Sequence, residues 1–236
     1  VRDSRGNIIR RLTNSPSTGI NRITWDFLYV AQGPISEEES KSGDVEGGVP
    51  TAPGEYTVTM EKRVEGEIIE LAGPVSFQTV SFGGVTLPTE DREELAAFQR
   101  RVEALQAAVR SANREMEDLK DRLKHMKAAA SAVAQENETL LQKIKDAEEK
   151  LHLLDREVRG DRLANELDMA APLSVTGRIN RIVYGMMNST SAPTQTQRDG
   201  YQMAKSEFEP VLAQLETIAS RDIKAIERKL DALDAP

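Results

Sequence analysis

Between Pro88 and Gly160 the chain contains neither proline nor glycine, and its apolar positions advance in alternating steps of three and four. Leu95, Phe98, Val102, Leu105, Val109, Ala112, Met116, Leu119, Leu123 and Met126 set the phase, and Ala130, Val133, Asn137, Leu140, Ile144, Ala147, Leu151, Leu154 and Val158 keep it. Glu, Lys, Arg and Gln fill most of the intervening positions. This is an a/d heptad seam, and a stripe so narrow stays in water unless another helix covers it. Nothing near Ala128-Ala129-Ala130-Ser131-Ala132 breaks the helix locally, so the pattern alone leaves open one long rod or two helices folded back. Gly160 is placed as a helix stop.

Further on, Ile179, Ile182, Val183, Met186 and Met187 mark the apolar face of a short helix. Thr194-Gln195-Thr196-Gln197 has the form of a capping box and opens the last long helix. There Tyr201, Ala204, Phe208, Val211 and Leu215 repeat by three and four, and the steps to Ala219 and Ile223 form a stutter that locally unwinds a supercoil. The pattern then resumes at Ile226, Leu230 and Leu233. Pro210 predicts a kink about one turn earlier, where its ring blocks the bond to the Ser206 carbonyl. At the start, Thr89 is placed to cap the first long helix, with Glu90 and Asp91 at its positive end.

Residues 1–88 follow a different rhythm. Asn7–Leu12, Arg22–Asp26, Glu55–Arg63, Glu67–Leu71 and Val75–Val80 are short runs rich in β-branched and aromatic residues, separated by turns at Asp3-Ser4-Arg5-Gly6, Thr18-Gly19 and Ala52-Pro53-Gly54. They predict a small β-sandwich. Trp25, the only tryptophan, reads first as a core plug beside Ile23, and second as a surface for stacking a sugar. Residues 31–52, with Glu37-Glu38-Glu39, Gly47-Gly48 and Pro50, read as a long mobile loop; the glutamates lack the alternating spacing and turn glycine of a calcium loop.

The domain plan is thus a β-sandwich over 1–88 and an antiparallel helical bundle over 89–236, with helices at about 89–127, 135–158, 174–188 and 194–234. A chain of 236 residues can bury a core in each. Charge adds an exclusion: residues 1–88 hold 8 basic and 12 acidic side chains and the remainder 23 and 27, so neither part has the basic surplus that a nucleic acid backbone demands. With no cysteine there is no disulfide, thiolate metal site or thiol nucleophile. No apolar run approaches the ~18 residues of a membrane span.

The search for chemistry returns little. His125 and His152 lie beside seam residues with no second ligand at i+4, which places them on the bundle surface. No phosphate loop, nucleophile elbow or zinc-protease motif occurs. Glu93-Glu94, Glu148-Glu149 and Glu115 with Asp118 could be read as a glycosidase acid and base, but such a pair must face across a substrate-sized gap, and these lie on the outer side of an amphipathic helix. Asn137 either fixes register from a seam position or starts a helix. The sequence therefore names no catalytic, cofactor or metal residue.

The run VRDSRGNIIRRL, then TGINRITWDF, then PGEYTV resembles the small sandwich that follows the β-propeller in bacterial sortilin-like proteins with BNR/Asp-box repeats, a group customarily labelled glycosyl hydrolases. LSVTGRINRIV, SAPTQTQRDGY and the closing RDIKAIERKL resemble the helical tail of the same group. The resemblance implies an upstream propeller carrying any active site, export to the periplasm or beyond, and helices that turn back near residues 128–135. In that group the sandwich normally starts with a strand or two before the counterpart of Val1, and if those strands are missing an edge of the sheet is left open. On that basis the chain is expected to be a non-catalytic accessory scaffold that packs on the propeller. The alternatives are part of a glycoside hydrolase with its site upstream, and a coiled coil that pairs with a second copy.

Overall fold

The computed structural model describes residues 1–32, 47–82, 90–133, 137–161, 164, 166, 167, 169, 171–186 and 189–235. Within them an antiparallel sheet is followed by long helices. The chain divides into two compact units, Val1–Ala104 with Asn188–Pro193, and Leu105–Met187 with Thr194–Pro236.

The first unit is built on a three-stranded antiparallel sheet in the order β1-β4-β5, where β1 is Arg2–Asp3, β4 is Gly54–Val64 and β5 is Glu67–Thr79. A second ladder joins β2 (Leu28–Val30) to β3 (Gly47–Pro50). The predicted turn at Asp3–Gly6 forms as expected: the Asp3 carboxylate accepts from the amides of Arg5 and Asn7 at 3.0 and 2.8 Å, and Gly6 takes a φ of +81°. Two strands expected from composition are absent. Asn7–Leu12 contributes one isolated bridge at Ile8, because its backbone bonds run to Val1 and Val30 in an irregular loop. Arg22–Asp26 forms no ladder, and Ile23 on it is exposed. The runs Glu67–Leu71 and Val75–Val80 are instead one strand, since two bulges absorb the break at Gly73-Pro74. Most of the mobile loop expected at 31–52 lies outside the described residues.

α1 (Arg92–Ala132) begins the helices and supplies both units, the boundary falling between Ala104 and Leu105. The Asp91 carboxylate accepts from the Glu94 amide at 2.8 Å and caps it. Thr89, the expected cap, lies outside the described residues. In the first unit α1 buries Leu95, Ala96, Phe98 and Val102, and the Arg100 guanidinium sits 4.7 Å from the centre of the Tyr29 ring.

The second unit contains the rest of α1, α2 (Glu138–Arg159), α3 (Val175–Met186), α4 (Gln195–Thr217), a π-helical turn (Ile218–Ile223) and α5 (Lys224–Ala232). α1 ends at Ala132 and α2 starts at Glu138, so the two-helix alternative holds over the continuous rod. Ion pairs Lys127–Glu148, Lys120–Asp155 and Arg159–Glu117 link residues whose numbers rise on α1 as they fall on α2, which makes the two helices antiparallel. Val109, Ala112, Met116, Leu119, Leu123 and Ala130 meet Leu140, Ile144, Ala147, Leu151, Leu154 and Val158 in one core with residues of α3, α4 and α5. Each is a seam position of the sequence, and each is buried by its own chain.

The stutter also acquires a physical form. The buried residues run Leu215, Ile218, Ile223, Ile226, and the five-residue step between Ile218 and Ile223 is spanned by the π-helical turn, whose wider loop absorbs the extra residue. Ile218 thus takes the deep position expected of Ala219, which is only partly buried. α4 continues through Pro210 and keeps Phe208 and Val211 in the core on either side. Gly160 ends α2 at a φ of +91°, its amide bonded to the Arg156 carbonyl. Thr194 and Gln197 close both bonds of the capping box.

Candidate functional site

The residues with any claim to chemistry are the helix carboxylates, the two histidines, Asn137 and the tryptophan. Each has a defined place. Glu148 binds Lys127 on α1, with Nζ to oxygen distances of 2.7 and 3.1 Å, and Glu149 pairs with Lys145 on its own helix at 3.8 Å. Glu93 lies 3.8 Å from Arg5, with both side chains in solvent. Glu115 and Asp118 are exposed on the outer side of α1. His125 and His152 are both exposed. Among the described residues no group of three or more His, Cys, Asp or Glu side chains is gathered closely enough to hold a metal ion.

What the carboxylates do form is a set of ties between helices. Lys120 and Arg159 bracket Glu117 and Asp155 in a four-charge cluster: Lys120 lies 3.3 Å from Glu117 and 3.2 Å from Asp155, and Arg159 lies 2.9 and 3.2 Å from the same two. The Arg159 guanidinium also donates to the Asn113 side chain at 3.1 Å. Arg122 reaches Glu227 on α5 at 2.5 Å, Lys150 reaches Asp222 in the π turn at 2.7 Å, and Arg178 on α3 reaches Glu207 on α4 at 3.0 Å. Burial by itself would raise the Asp222 pKa, but hydrogen bonds from Lys150 and Arg221 outweigh it and hold the carboxyl below its ordinary value. The helix-to-helix partners were not readable beforehand, because heptad phase says which face is apolar but not which turn of one helix lies beside which turn of another.

Asn137 is a helix-start residue. It occupies the N-cap of α2, its carbonyl accepts from Leu140 and Leu141, and its side-chain amide donates back to the Ala130 carbonyl at the end of α1. It therefore closes the turn between the two longest seams.

In the first unit, Trp25 is half-buried in an aromatic group. Its ring lies 5.0 Å from Phe27, 5.3 Å from Tyr56 and 6.1 Å from Phe77, the last two edge-on, while its indole N–H donates to the Leu28 carbonyl at 3.1 Å. Tyr56 is buried and its hydroxyl donates to the Ala52 carbonyl, four residues back across Pro53-Gly54. Burial pushes the Tyr56 hydroxyl above its usual pKa. Arg10 is the buried cation of this unit, donating to the Tyr29 carbonyl at 3.2 Å and lying 3.7 Å from Asp26.

Among the described residues no helix is long and apolar enough to cross a membrane. No family model, no curated protein and no solved structure matches the chain.

Proposed function

We propose that this chain is a non-catalytic accessory scaffold from an exported, sortilin-like propeller protein, in which a sandwich-type β unit and a helical bundle pack on the propeller or on another protein. The observation that carries this reading is the use made of the charged side chains. The carboxylates of Glu148, Asp155, Glu117 and Asp222 are spent on ion pairs that tie one helix of the bundle to another.

The sandwich part of the reading draws support from the corner at Tyr56. A tyrosine near the start of a strand, with its hydroxyl returned to the backbone a few residues upstream, is a device of Greek-key sandwiches. The propeller, the glycosyl hydrolase label of the parent and the export route rest on the resemblance of the motifs alone. If the parent hydrolyses glycans, this chain serves that activity from outside the active site.

The experiment mixes this chain with the separately produced propeller of the parent protein and measures co-elution, alongside turnover of aryl glycosides by the chain alone. Co-elution without turnover is expected. Turnover by the chain alone that is abolished by Glu148→Gln would overturn the proposal, and failure to associate with the propeller at micromolar concentrations would overturn its packing on the propeller.

A further inference from the structure

Phe27 is held in a conformation that phenylalanine rarely adopts. Its φ is +60°, in the left-handed region where an L side chain crowds its own backbone and glycine or asparagine is at ease. Among the described residues two other non-glycine positions have a positive φ: Glu65 in the turn between β4 and β5, and Asp234 just past the end of α5. Phe27 is the bulky, apolar one. A set of hydrogen bonds fixes it there. The Phe27 carbonyl accepts from both the amide and the hydroxyl of Thr51, each at 2.8 Å. The next residue is pinned as well, because the Asp26 carboxylate accepts from the Leu28 amide at 3.0 Å and the Trp25 indole N–H donates to the Leu28 carbonyl at 3.1 Å. Every partner in this clamp lies between Trp25 and Thr51, away from both ends of the chain.

The ring gains only part of what burial offers. Trp25 lies 5.0 Å from it at a tilt of 49° and covers one side, yet Phe27 remains 54% exposed. A flat ring shown to solvent from a clamped and strained backbone is a surface suited to contact, since strain of this kind collects where a side chain must be presented. A polar group stands beside it. Asp26 Oδ1 is occupied by the Leu28 amide, which holds the carboxylate against the Phe27 peptide. Asp26 Oδ2 lies 3.7 Å from Arg10 Nη2, beyond hydrogen-bond range, and the Asp26 side chain is 46% exposed, so this oxygen can accept from a ligand. An aromatic face next to such an oxygen is the chemistry that grips a sugar. The C–H groups of a pyranose lie on the negative face of the ring, and its hydroxyls donate to the carboxylate.

We propose that Phe27 and Asp26 form a carbohydrate subsite, in which a neutral pyranose with equatorial substituents stacks on the Phe27 ring and donates a hydroxyl to Asp26 Oδ2. The platform is not the tryptophan. Trp25 is half-buried, with Phe27, Tyr56 and Phe77 at 5.0, 5.3 and 6.1 Å around it, and it supports the Phe27 ring from behind. The charge of Asp26 sets the class of sugar, because a hexuronate would bring a second negative charge to the same place. The flatness of the ring sets the other requirement, since a leucine at this position would be as apolar but would offer no face to stack on. One ring and one carboxylate correspond to roughly millimolar affinity. The subsite stands independently of any propeller.

The test titrates the full chain with cellotetraose, tetra-N-acetylchitotetraose and tetragalacturonate up to about 10 mM. Binding is followed by the fluorescence of Trp25, the only tryptophan, and by saturation-transfer NMR of the sugars. Saturable binding of at least one neutral tetramer is expected, roughly tenfold or more tighter than the uronate. Phe27→Tyr should bind within about threefold of wild type, whereas Phe27→Leu and Phe27→Gly should each weaken binding by roughly tenfold or more, and Asp26→Asn by roughly fivefold or more. Phe27→Leu keeps apolar bulk over Trp25, Phe27→Gly removes ring and strain together, and circular dichroism checks that both fold. A chain that binds neither neutral tetramer overturns the proposal. So does binding that Phe27→Leu retains in full, or a uronate that binds as tightly as the neutral sugars.

Discussion

Leu151 and Leu153 sit two residues apart on α2, and they offer a matched test of which face of that helix is covered. Leu151 is 0% exposed in the core between α1, α2 and α4; Leu153 is 52% exposed. Replacing either by alanine removes the same atoms and changes helix propensity by the same small amount. At Leu151 the loss comprises the transfer free energy of the removed carbons and a cavity that close-packed neighbours only partly fill, a cost of about 2–5 kcal/mol. At Leu153 little burial is lost, and the expected change is within about 0.5 kcal/mol. Urea unfolding followed at 222 nm, which reports the helices, should separate the two by at least ~2 kcal/mol at unchanged slope. In a scan the Leu151→Ala midpoint should fall by roughly 4–20 °C. Equal effects from the two substitutions, or a larger one at Leu153, would refute the argument that α2 turns its a/d stripe inward.

Three smaller perturbations check other joints. Thr194→Ala removes the acceptor of the Gln197 amide and should cost about 0.5–2 kcal/mol in the same urea assay, with Thr194→Ser near wild type. Asp222 has a folded pKa below the ordinary aspartate value, so its contribution to stability is present above the unfolded pKa and disappears as pH falls through the folded one. Asp222→Asn should therefore be less stable than wild type at pH 7 and indistinguishable from it once the pH is below the folded value, as read from urea midpoints across pH. Tyr56→Phe deletes the donor to the Ala52 carbonyl and should cost about 0.5–1.5 kcal/mol, detected through the fluorescence of Trp25 in contact with the ring.

The helices were legible in the sequence because a heptad stripe is a strong, redundant signal: nineteen seam positions in one phase tolerate a weak member such as Asn137 without losing the pattern. The turn between α1 and α2 was not legible locally, since Ala128–Ala132 is helix-favouring and indeed helical through Ala132. Its cause is the distant packing partner, and the residue that closes it, Asn137, could only be offered as one of two readings. The sheet was read less well. β2 and β3 are short, and Gly47–Pro50 looks like loop by composition, whereas Arg22–Asp26 has strand composition and joins no ladder among the described residues. Gly73-Pro74 looked like a strand boundary because nothing in composition announces that bulges will carry a ladder across it. Among the candidate residues, the sequence placed His125, His152, Glu115 and Asp118 on the outside, and there they are. It could not name Lys127 for Glu148 or Lys150 for Asp222, because the register between helices is set by how knobs and holes interlock in three dimensions.

The account depends most on α1 and α2 lying side by side within one molecule. The absence of cysteine allows clean labelling, so spin labels at Asp118→Cys and Glu157→Cys, both exposed, measure that geometry by pulsed dipolar spectroscopy in a sample diluted with unlabelled chain. Antiparallel neighbours with axes about 10 Å apart predict a separation of roughly 10–25 Å, label linkers included. A single distance near 58 Å, the span of the intervening residues in one straight helix at about 1.5 Å each, would contradict it.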